Sequence, residues 1–509
     1  MKIYQTYRIQ NFSLILLIAF ILTSCSNSNI QINATLEPEP TAFHSPVPEV
    51  KIPDQENNPY LQTITPTPQE IELTPALPEY TLQVEFDYAR QSAQINETIV
   101  YVNNSKQILK DIRLAIDTLR YPESFFLEKV TVNASSEIKT EVGKYFLTII
   151  LPEALEPGHE IEIKIDYALI IPPLPPPADD RKPGIYGYSA VQTNLVDWYP
   201  FIPPLTETGE WLLHDPWFYG EYLVYDLANF QVEIQLVNVP ANTMIAASTV
   251  PVTQTENRFV YSSINARNFV WSLSPSYIEA KKDLNGISIS TYTFPFHQQA
   301  GEHVLKEVNK AIELYSELFS PYPRENLTVV EADFLDGMEY DGLFFLSRGF
   351  YNLFDGTPQN YLTSIAVHET AHQWWYAAIA NDQALEPWLD EALCTYSELL
   401  FYEEYYPELV TWWWDYRVNY YQPTGTINQS IYEYQGFVPY RNATYLQGAK
   451  FLQSLRDEIG DENFFNFLHE YAVTQNDQIT SHTVFFDLLT KYTEKDIYGT
   501  SPYFLNQNQ

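Results

Sequence analysis

The stretch VHETAHQWW, residues 367–375, contains two histidines four positions apart with a glutamate directly after the first. Its alanines, and the absence of glycine and proline, predict a helix from about Thr363 to Ala380. On that helix His368 and His372 lie one turn apart, so both imidazoles can reach one metal ion. Glu369 lies about 100° around the helix, where it can contact a water without binding the metal. The pattern predicts a zinc site with a general base; the alternative is a pair of buried structural histidines beside a surface glutamate.

A zinc site of this kind needs a third protein ligand. Trp375 and Ala378 occupy the positions where metzincins have a glycine and a third histidine, which excludes that class. A carboxylate from a following helix is the other route. The segment EPWLDEALCTY (386–396) supplies Glu391, eighteen intervening residues after His372. Two neutral imidazoles and one carboxylate would leave Zn²⁺ with a net positive charge and an open position for water.

The charge of the chain narrows its possible partners. Its 509 residues include 65 acidic and 28 basic side chains, a net charge of -37, and no basic block that could follow a phosphate backbone. Nucleic acid is therefore excluded as an expected partner. So acidic a surface favours cationic partners, such as the protonated amine of a peptide, or simply keeps the protein in solution.

The first 24 residues have the layout of a signal peptide. Lys2 and Arg8 precede an apolar run at 14–22 that is too short for a comfortable membrane span. The run ends in LTSC, which resembles the lipobox of bacterial lipoproteins and implies lipidation of Cys25. We therefore expect an extracytoplasmic, membrane-anchored protein at the cell surface or in the periplasm; the alternatives are an ordinary cleaved signal and an uncleaved anchor. Cys394 would then remain as a single thiol, without a disulfide.

The rest of the chain divides by composition into three parts. Residues 25–79 are rich in proline and polar residues, which predicts a disordered tether. Residues 80–275 carry runs of alternating polar and apolar residues, which predict a β-rich domain. Within it, PPLPPP (172–177) is read as a surface loop, with a docking peptide as the alternative. Residues 276–509 are mostly helical in period, so the predicted fold class is α+β.

The spacing from HETAH to Glu391 within WLDEAL resembles the zinc signature of the aminopeptidase N and leukotriene hydrolase family of gluzincins. The resemblance implies an amino-terminal saddle domain followed by a thermolysin-like catalytic domain. It also implies one Zn²⁺ per chain, bound by His368, His372 and Glu391, with Glu369 as the base. WYPFIPP (198–204) and ARNFVWSLS (266–274) look like the family's saddle and its exit into the catalytic domain.

Another motif, FLDGMEYDGL (334–343), resembles the family's Gly-x-Met-Glu-Asn segment, an edge strand that binds the substrate. By this resemblance Gly337, Met338 and Glu339 contact the substrate, and Glu339 binds its free α-amino group. Two departures, Asp336 for the first glycine and Tyr340 for the asparagine, leave the carboxylate in place. They change the surroundings of the first substrate residue.

A third segment, PYRNATYLQGAKFL (439–452), resembles the one whose tyrosine stabilises the oxyanion of the tetrahedral intermediate. The resemblance assigns that role to Tyr445, with Tyr440 as a weaker second candidate. Only 118 residues follow Glu391, too few for the large helical carboxy-terminal domain of many relatives. A more open cleft is therefore expected.

These observations together predict an extracytoplasmic zinc aminopeptidase acting on peptides with a free amino terminus. The alternatives are a non-catalytic surface-binding lipoprotein of the same fold and a zinc endopeptidase. Cys394 is expected to be a small buried apolar residue rather than a nucleophile. Glu398 is one possible partner for a histidine ligand, because the position one turn after Glu391 is Thr395. Trp374, Trp375 and Trp412–Trp414 are expected to pack in the core or between domains.

Overall fold

The computed structural model describes residues 76–174, 184–206 and 208–504. The predicted signal peptide, Cys25 and nearly all of the tether lie outside the described residues, as does the end of the PPLPPP segment. Within the described part, no helix is long and apolar enough to cross a membrane.

Residues 79–274 form strands because apolar side chains alternate with polar ones along them. β1, for example, buries Tyr80, Leu82, Val84 and Phe86 and leaves the residues between them largely exposed. In chain order the strands are β1 (Glu79–Asp87), β2 (Ser92–Val102), β3 (Leu109–Ala115), β4 (Phe125–Val132), β5 (Lys139–Val142), β6 (Phe146–Leu155), β7 (Glu160–Ile170), β8 (Gly187–Tyr188), β9 (Thr193–Leu195), β10 (Ala228–Val237), β11 (Met244–Ala247), β12 (Thr253–Gln254), β13 (Arg258–Ala266) and β14 (Trp271–Ser274).

These strands pair into three sheets. The largest is seven-stranded, in the order β12-β13-β10-β1-β2-β7-β4, with β1 parallel to β10 and antiparallel to β2. A three-stranded sheet (β3-β6-β5) and a four-stranded sheet (β11-β14-β9-β8) complete this region. Their buried faces share one apolar core that includes Trp198 and Trp271.

The remaining chain is a mixed sheet covered by helices. The strands of this sheet are β15 (Ile278–Leu284), β16 (Ile287–Thr293), β17 (Asn326–Ala332), β18 (Gly337–Tyr340) and β19 (Leu343–Ser347). The remaining chain also contains a separate parallel pair, formed by β20 (Ala380–Asn381) and β21 (Ile479–Thr480). Its helices are α1 (Gln298–Leu318), α2 (Arg348–Asn352), α3 (Tyr361–Ala371), α4 (Trp388–Tyr405), α5 (Val410–Trp412), α6 (Phe437–Arg441), α7 (Gly448–Ile459), α8 (Asp461–Thr474), α9 (His482–Leu489) and α10 (Ile497–Thr500). The sheet order β15-β16-β17-β19-β18 places β18 at an edge, as the motif at 334–343 predicts. A β-rich region followed by a mainly helical one confirms the α+β class.

The helix predicted from Thr363 to Ala380 is shorter than expected. α3 ends at Ala371 and a π-helical turn follows at Gln373–Ala378, closed by the bond from the Ala377 amide to the His372 carbonyl. The cause is tertiary packing, which overrides the helix preference of the alanines. The adjacent indoles of Trp374 and Trp375 donate to different partners, the Ser320 carbonyl and the Ser397 hydroxyl. A wider turn allows both contacts.

One buried arginine connects the β-rich region to the helical one. Arg267, 1% exposed, follows β13. Its guanidinium donates to the carbonyls of Tyr225, Ala377, Ala378 and Gln478, at 3.0–3.3 Å. These carbonyls belong to segments that are far apart in the sequence, so one side chain fixes their relative positions.

Candidate metal centre

The centre is built by two buried helices that pack against each other. The Asn360 side chain caps α3 by accepting from the Thr363 amide. Residues 362–371 of α3 and 388–402 of α4 are all buried, because apolar side chains surround both helices. Glu391 lies in the first turn of α4, where the helix dipole favours a negative charge.

The structure brings the donor atoms of His368, His372 and Glu391 together. The Nε2 atoms of His368 and His372 lie 3.2 and 3.7 Å from Oε2 of Glu391. One donor atom from each residue lies within 4.8 Å of the other two. Zinc binds nitrogen and carboxylate oxygen at about 2.0–2.2 Å, so tetrahedral ligands lie about 3.3 Å apart. The donor set therefore fits one zinc ion.

Both imidazoles are oriented by acids on their other ring nitrogen. Nδ1 of His368 lies 2.9 Å from Glu398, and Nδ1 of His372 lies 2.6 Å from Asp390. Glu398 accepts in turn from Arg417, through Nε and Nη2 at 2.9 and 2.8 Å, and from the Trp413 indole at 3.0 Å. With Nδ1 donating to a carboxylate, each Nε2 is left as a free lone pair toward the metal position.

Sequence reasoning considered Glu398 and missed Asp390, Arg417 and Trp413. The role of Asp390 could have been inferred from the sequence, because it is an acid next to a metal donor in the first turn of α4. Glu398 follows Glu391 by seven positions, two helical turns, and so lies on the same face. Arg417 and Trp413 carry no such signal, because they come from a separate segment after α4.

Burial and hydrogen bonding shift the pKa values of the centre. Burial lowers the pKa of His368, but its bonds to Glu391 and Glu398 outweigh burial and raise the pKa to about 9; a metal ion at Nε2 would take the place of the proton shared with Glu391. Burial raises the pKa of Asp390 to about 6 and that of Glu369 to about 8. The pKa of Glu391 is lowered despite burial, because His368 and His372 stabilise its charge.

Glu369 faces the same space as the donors without joining them. It is 4% exposed, and its Oε2 has no hydrogen-bond partner within the described part of the chain. It lines a cavity of about 330 Å³ with His368, His372 and Glu391. A Cβ on Gly337 would lie 2.0 Å from Oε1 of Glu369, so a larger residue there would displace the Glu369 carboxylate. A buried carboxylate oxygen without a partner is suited to hold a water.

Glu339 lies beside the donors on the edge strand β18. It is 4% exposed, and its Oε2 lies 4.0 Å from Nε2 of His372. The Gln383 amide donates to its Oε1 at 3.5 Å and also to Asp390. The neighbouring Met338 is half-buried and packs against the core of the β-rich region. Glu339 is therefore a buried carboxylate next to the metal position that does not belong to the three-donor set described above.

The two tyrosine candidates occupy different positions. The Tyr445 hydroxyl donates to Oε1 of Glu391, and its ring stacks on His368 with centroids 5.9 Å apart. Tyr440 is 1% exposed and packs among Tyr219, Tyr434 and Tyr445. Tyr445 thus contacts the donor set directly, whereas Tyr440 packs against the ring of Tyr445.

The other residues selected from the sequence lie in the core. Cys394 is fully buried, with its sulfur 3.9 Å from Oδ1 of Asp390. Trp374, Trp375 and Trp413 are buried, whereas Trp412 and Trp414 pack against the same core from its edge.

Comparison with known proteins finds relatives of part of this chain. Residues 303–501 match the peptidase family M1 domain, which confirms the family resemblance seen in the sequence. Aminopeptidase M1-D of Oryza sativa subsp. japonica is 33% identical over 145 residues, 27% of this chain and 16% of that protein. Endoplasmic reticulum aminopeptidase 2 of Homo sapiens is 26% identical over 207 residues, 37% of this chain and 21% of that protein. The chain thus spans about a fifth or less of these relatives.

Solved structures share the fold. A mutant of the M1 zinc metallopeptidase from Deinococcus radiodurans superposes with a TM-score of 0.60 at 18% identity, covering 85% of this chain and 95% of that one. Another structure of the M1 zinc metallopeptidase from Deinococcus radiodurans gives a TM-score of 0.56 at 19% identity, with coverages of 82% and 90%. The order of a β-rich region and a helical one is therefore shared along nearly the whole of those chains.

Proposed function

We infer that this chain, which carries a peptidase family M1 domain at residues 303–501, is a zinc-dependent aminopeptidase that removes the first residue of peptides. The observation that carries the proposal is the meeting of His368, His372 and Glu391, with Glu339 beside them. The three donors supply a zinc site with an open position. The Glu339 carboxylate attracts the ammonium group of the substrate and so places its amino terminus beside the metal position.

A zinc ion held by the three donors would act as a Lewis acid on the scissile carbonyl and acidify water in its coordination sphere. Glu369 accepts the proton of the attacking water and passes it to the leaving amine. Its burial beside the donors and its Oε2 without a hydrogen-bond partner among the described residues suit this role, because the carboxylate can accept a hydrogen bond from the attacking water.

Glu339 and Tyr445 position the substrate in this scheme. The Glu339 carboxylate binds the ammonium group of the first residue, since it is buried and ionic attraction is strong there. That contact selects peptides with a free amino terminus. Tyr445 turns its hydroxyl from Glu391 to the carbonyl oxygen as negative charge develops on it.

The experiment is an assay of the full chain with bound zinc quantified. Amino-acid arylamides are compared with their N-acetylated forms, in wild type and in Glu369→Gln and Glu339→Gln. We expect one zinc per chain and turnover of free amines only. Loss of about 100-fold or more in kcat is expected for Glu369→Gln, because removing a general base costs about two to four orders of magnitude.

Two other results would replace the proposal. Equal cleavage of acetylated and free substrates would indicate an endopeptidase, and zinc binding without turnover would indicate a non-catalytic binding protein. Glu339→Gln separates the first case further, because an endopeptidase has no need of an amine-binding carboxylate. It should raise KM for free amines in the aminopeptidase and change little in the endopeptidase.

The cellular location is a separate proposal that rests on the sequence, since Cys25 lies outside the described residues. We propose that the chain is exported and anchored to a membrane by a lipid on Cys25. Expression with radiolabelled palmitate should label the wild type and not Cys25→Ala, and membrane fractionation should follow the label. A soluble, unlabelled wild-type protein would contradict the anchor.

A further inference from the structure

One buried glutamine lies between Glu339 and the metal donors. Gln383 is 4% exposed and belongs to the short segment between β20 and α4. Its Nε2 donates to Oδ2 of Asp390 and, at the longer distance of 3.5 Å, to Oε1 of Glu339. One carboxamide therefore contacts both an acid that orients a metal donor and the acid proposed to bind the substrate's amine.

The contact with Asp390 continues to the metal position. Oδ1 of Asp390 lies 2.6 Å from Nδ1 of His372, and its Oδ2 accepts from Gln383. The two oxygens of one carboxylate thus hold an imidazole donor on one side and the glutamine on the other. Because a carboxylate is planar, fixing Oδ2 also fixes the direction in which Oδ1 faces the ring. Partners of this kind set the orientation of a ligating imidazole.

Glu339 has few other contacts that could hold its carboxylate. Within the described part of the chain, no donor other than Gln383 forms a hydrogen bond with it at 3.5 Å or less. Its Oε2 lies 4.0 Å from Nε2 of His372, a nitrogen that faces the metal position. A hydrogen bond as long as 3.5 Å is weak. It therefore steadies the carboxylate and leaves its oxygens able to accept from an ammonium group.

The same amide also separates two acids. Asp390 and Glu339 are 1% and 4% exposed, so a repulsion between their charges is poorly screened by water. The amide nitrogen of glutamine carries two hydrogens, one for each acid. A side chain without these hydrogens would leave two buried carboxylates beside each other with no donor between them.

The backbone on both sides of Gln383 is fixed, which sets the position of the carboxamide. The Ile431 amide donates to the carbonyl of the next residue, Ala384, at 2.9 Å. The preceding residue, Asp382, lies 2.9 Å through its Oδ2 from Nε2 of His214 in the β-rich region. A residue whose two neighbours are both held in this way has little freedom to move, so its side chain can keep the two acids at a fixed separation.

We propose that Gln383 is a positioning residue, whose carboxamide holds Asp390 against His372 and steadies Glu339 for the ammonium group of the substrate. The role toward Glu339 rests on the aminopeptidase function proposed above, whereas the role toward Asp390 concerns zinc alone. Gln383 lies outside every motif selected from the sequence, within the eighteen residues that separate His372 from Glu391.

The test is Gln383→Met in the full chain, since methionine is a flexible, unbranched side chain without an N–H group. In chelator competition, zinc should dissociate at about 10-fold lower chelator concentration, the lower end of the effect of such partners. In zinc-saturated protein, KM for amino-acid arylamides should rise about 10-fold, the order of one hydrogen bond to a charged group. The change in kcat should be smaller than the change in KM, because Glu369 keeps its surroundings.

Gln192→Met is the matched control. Gln192 is a buried glutamine whose amide donates to the Tyr277 hydroxyl and the Glu331 carbonyl, away from the two acids. It should lower the melting temperature and keep zinc affinity and KM near the wild-type values. Equal effects of the two variants on zinc affinity and KM would overturn the proposal, because both would then reflect the general loss of a buried amide.

A double variant shows whether the glutamine acts through Glu339. In the Glu339→Gln background, Gln383→Met should change KM little, because the carboxylate that it steadies is absent. An undiminished effect in that background would contradict the role toward Glu339.

A second variant covers the case in which Gln383→Met does not fold. Gln383→Asn keeps the amide and shortens the side chain by one methylene, so it cannot contact both acids. At least one of the two effects, on zinc affinity or on KM, should then appear. Wild-type values of both in Gln383→Asn would overturn the proposal.

The zinc measurement separates this proposal from the proposed function. A wild-type protein that turns over no arylamide would end the aminopeptidase function, whereas chelator competition would still test the contact between Gln383 and Asp390. Unchanged zinc affinity in a folded Gln383→Met protein would overturn the role toward Asp390, whatever the turnover.

Discussion

At the scale of single residues, the contact of His368 with Glu398 orients one of the metal donors. Glu398 is fully buried and joins the imidazole to Arg417 and Trp413. From the sequence, the acid that binds Nδ1 of His368 could be limited to the acids on the face of α4 that carries Glu391, since residues seven apart share a face. The sequence could not identify Glu398 among them, because Arg417, which holds Glu398 in place, lies outside that helix.

Glu398→Gln tests this contact. Partners of this kind typically contribute 10–100-fold to metal affinity, so we expect zinc to dissociate at a correspondingly lower chelator concentration. Glu403→Gln, which removes an acid from the same helix where it pairs with Arg456 at 2.7 Å, is the control. Unchanged zinc affinity in Glu398→Gln, measured by chelator competition, would argue against the orienting role.

Asp336 has a strained backbone at the edge of the site. Its φ of 108° lies in a region that strains residues with a side chain but not glycine, and the family motif has glycine at this position. We expect Asp336→Gly to raise the free energy of unfolding by about 1 kcal/mol, the strain relieved less the added entropy of glycine. Denaturant unfolding measures this. A destabilised variant would show that the contacts of Asp336 outweigh its strain.

At the scale of elements, period predicted the β-rich region, since the alternation in residues 80–275 matches β1–β14 closely. The helix that carries the two histidines was predicted instead from its alanines and its lack of glycine and proline. The π-helical turn after His372 was not predictable, because it depends on partners of Trp374 and Trp375 in distant segments. The donors still meet, since both histidines precede the turn.

The close approach of α7 to α4 gives a prediction at this scale. A Cβ on Gly448 would lie 2.3 Å from Cβ of Ala392, the residue after Glu391. Gly448→Ala should therefore lower the free energy of unfolding by about 1–3 kcal/mol, as overpacking does, and weaken zinc binding by displacing Glu391. Adding Ala392→Gly should restore part of both. A Gly448→Ala protein with wild-type stability and zinc affinity would exclude this tight contact.

At the scale of the whole molecule, the stability of the fold should depend on pH through a buried acid far from the metal centre. Glu97 on β2 is 1% exposed, and burial raises its pKa well above the ordinary value. Above the unfolded-state pKa of about 4.3, the folded state keeps a proton that the unfolded state releases. Stability is therefore full below that pH and falls as pH rises toward the folded-state pKa.

Glu97→Gln should remove this loss. We expect it to be more stable than wild type at pH 8 by at least about 1 kcal/mol, and by much less at pH 4.5. Glu85→Gln, an exposed change on the neighbouring strand β1, is the control and should follow the wild type. Parallel stability curves for wild type and Glu97→Gln across this range would rule out Glu97 as the source.

The relation between the β-rich and helical regions was beyond sequence reasoning. Motifs located both parts and the residues of the candidate site, but no local pattern showed that Asp197 of the first part would contact Tyr340 of the second. Local periodicity reports which face of an element is buried and carries no information about its partner. The contact between the two parts could therefore be seen only in three dimensions.

The Arg267 guanidinium also makes the helical region depend on its carboxy-terminal part. Its acceptors include carbonyls at 377, 378 and 478, so a chain truncated before residue 478 would leave a buried cation without one of its partners. Truncation there should therefore loosen the contact between the β-rich region and the segment that follows the two histidines.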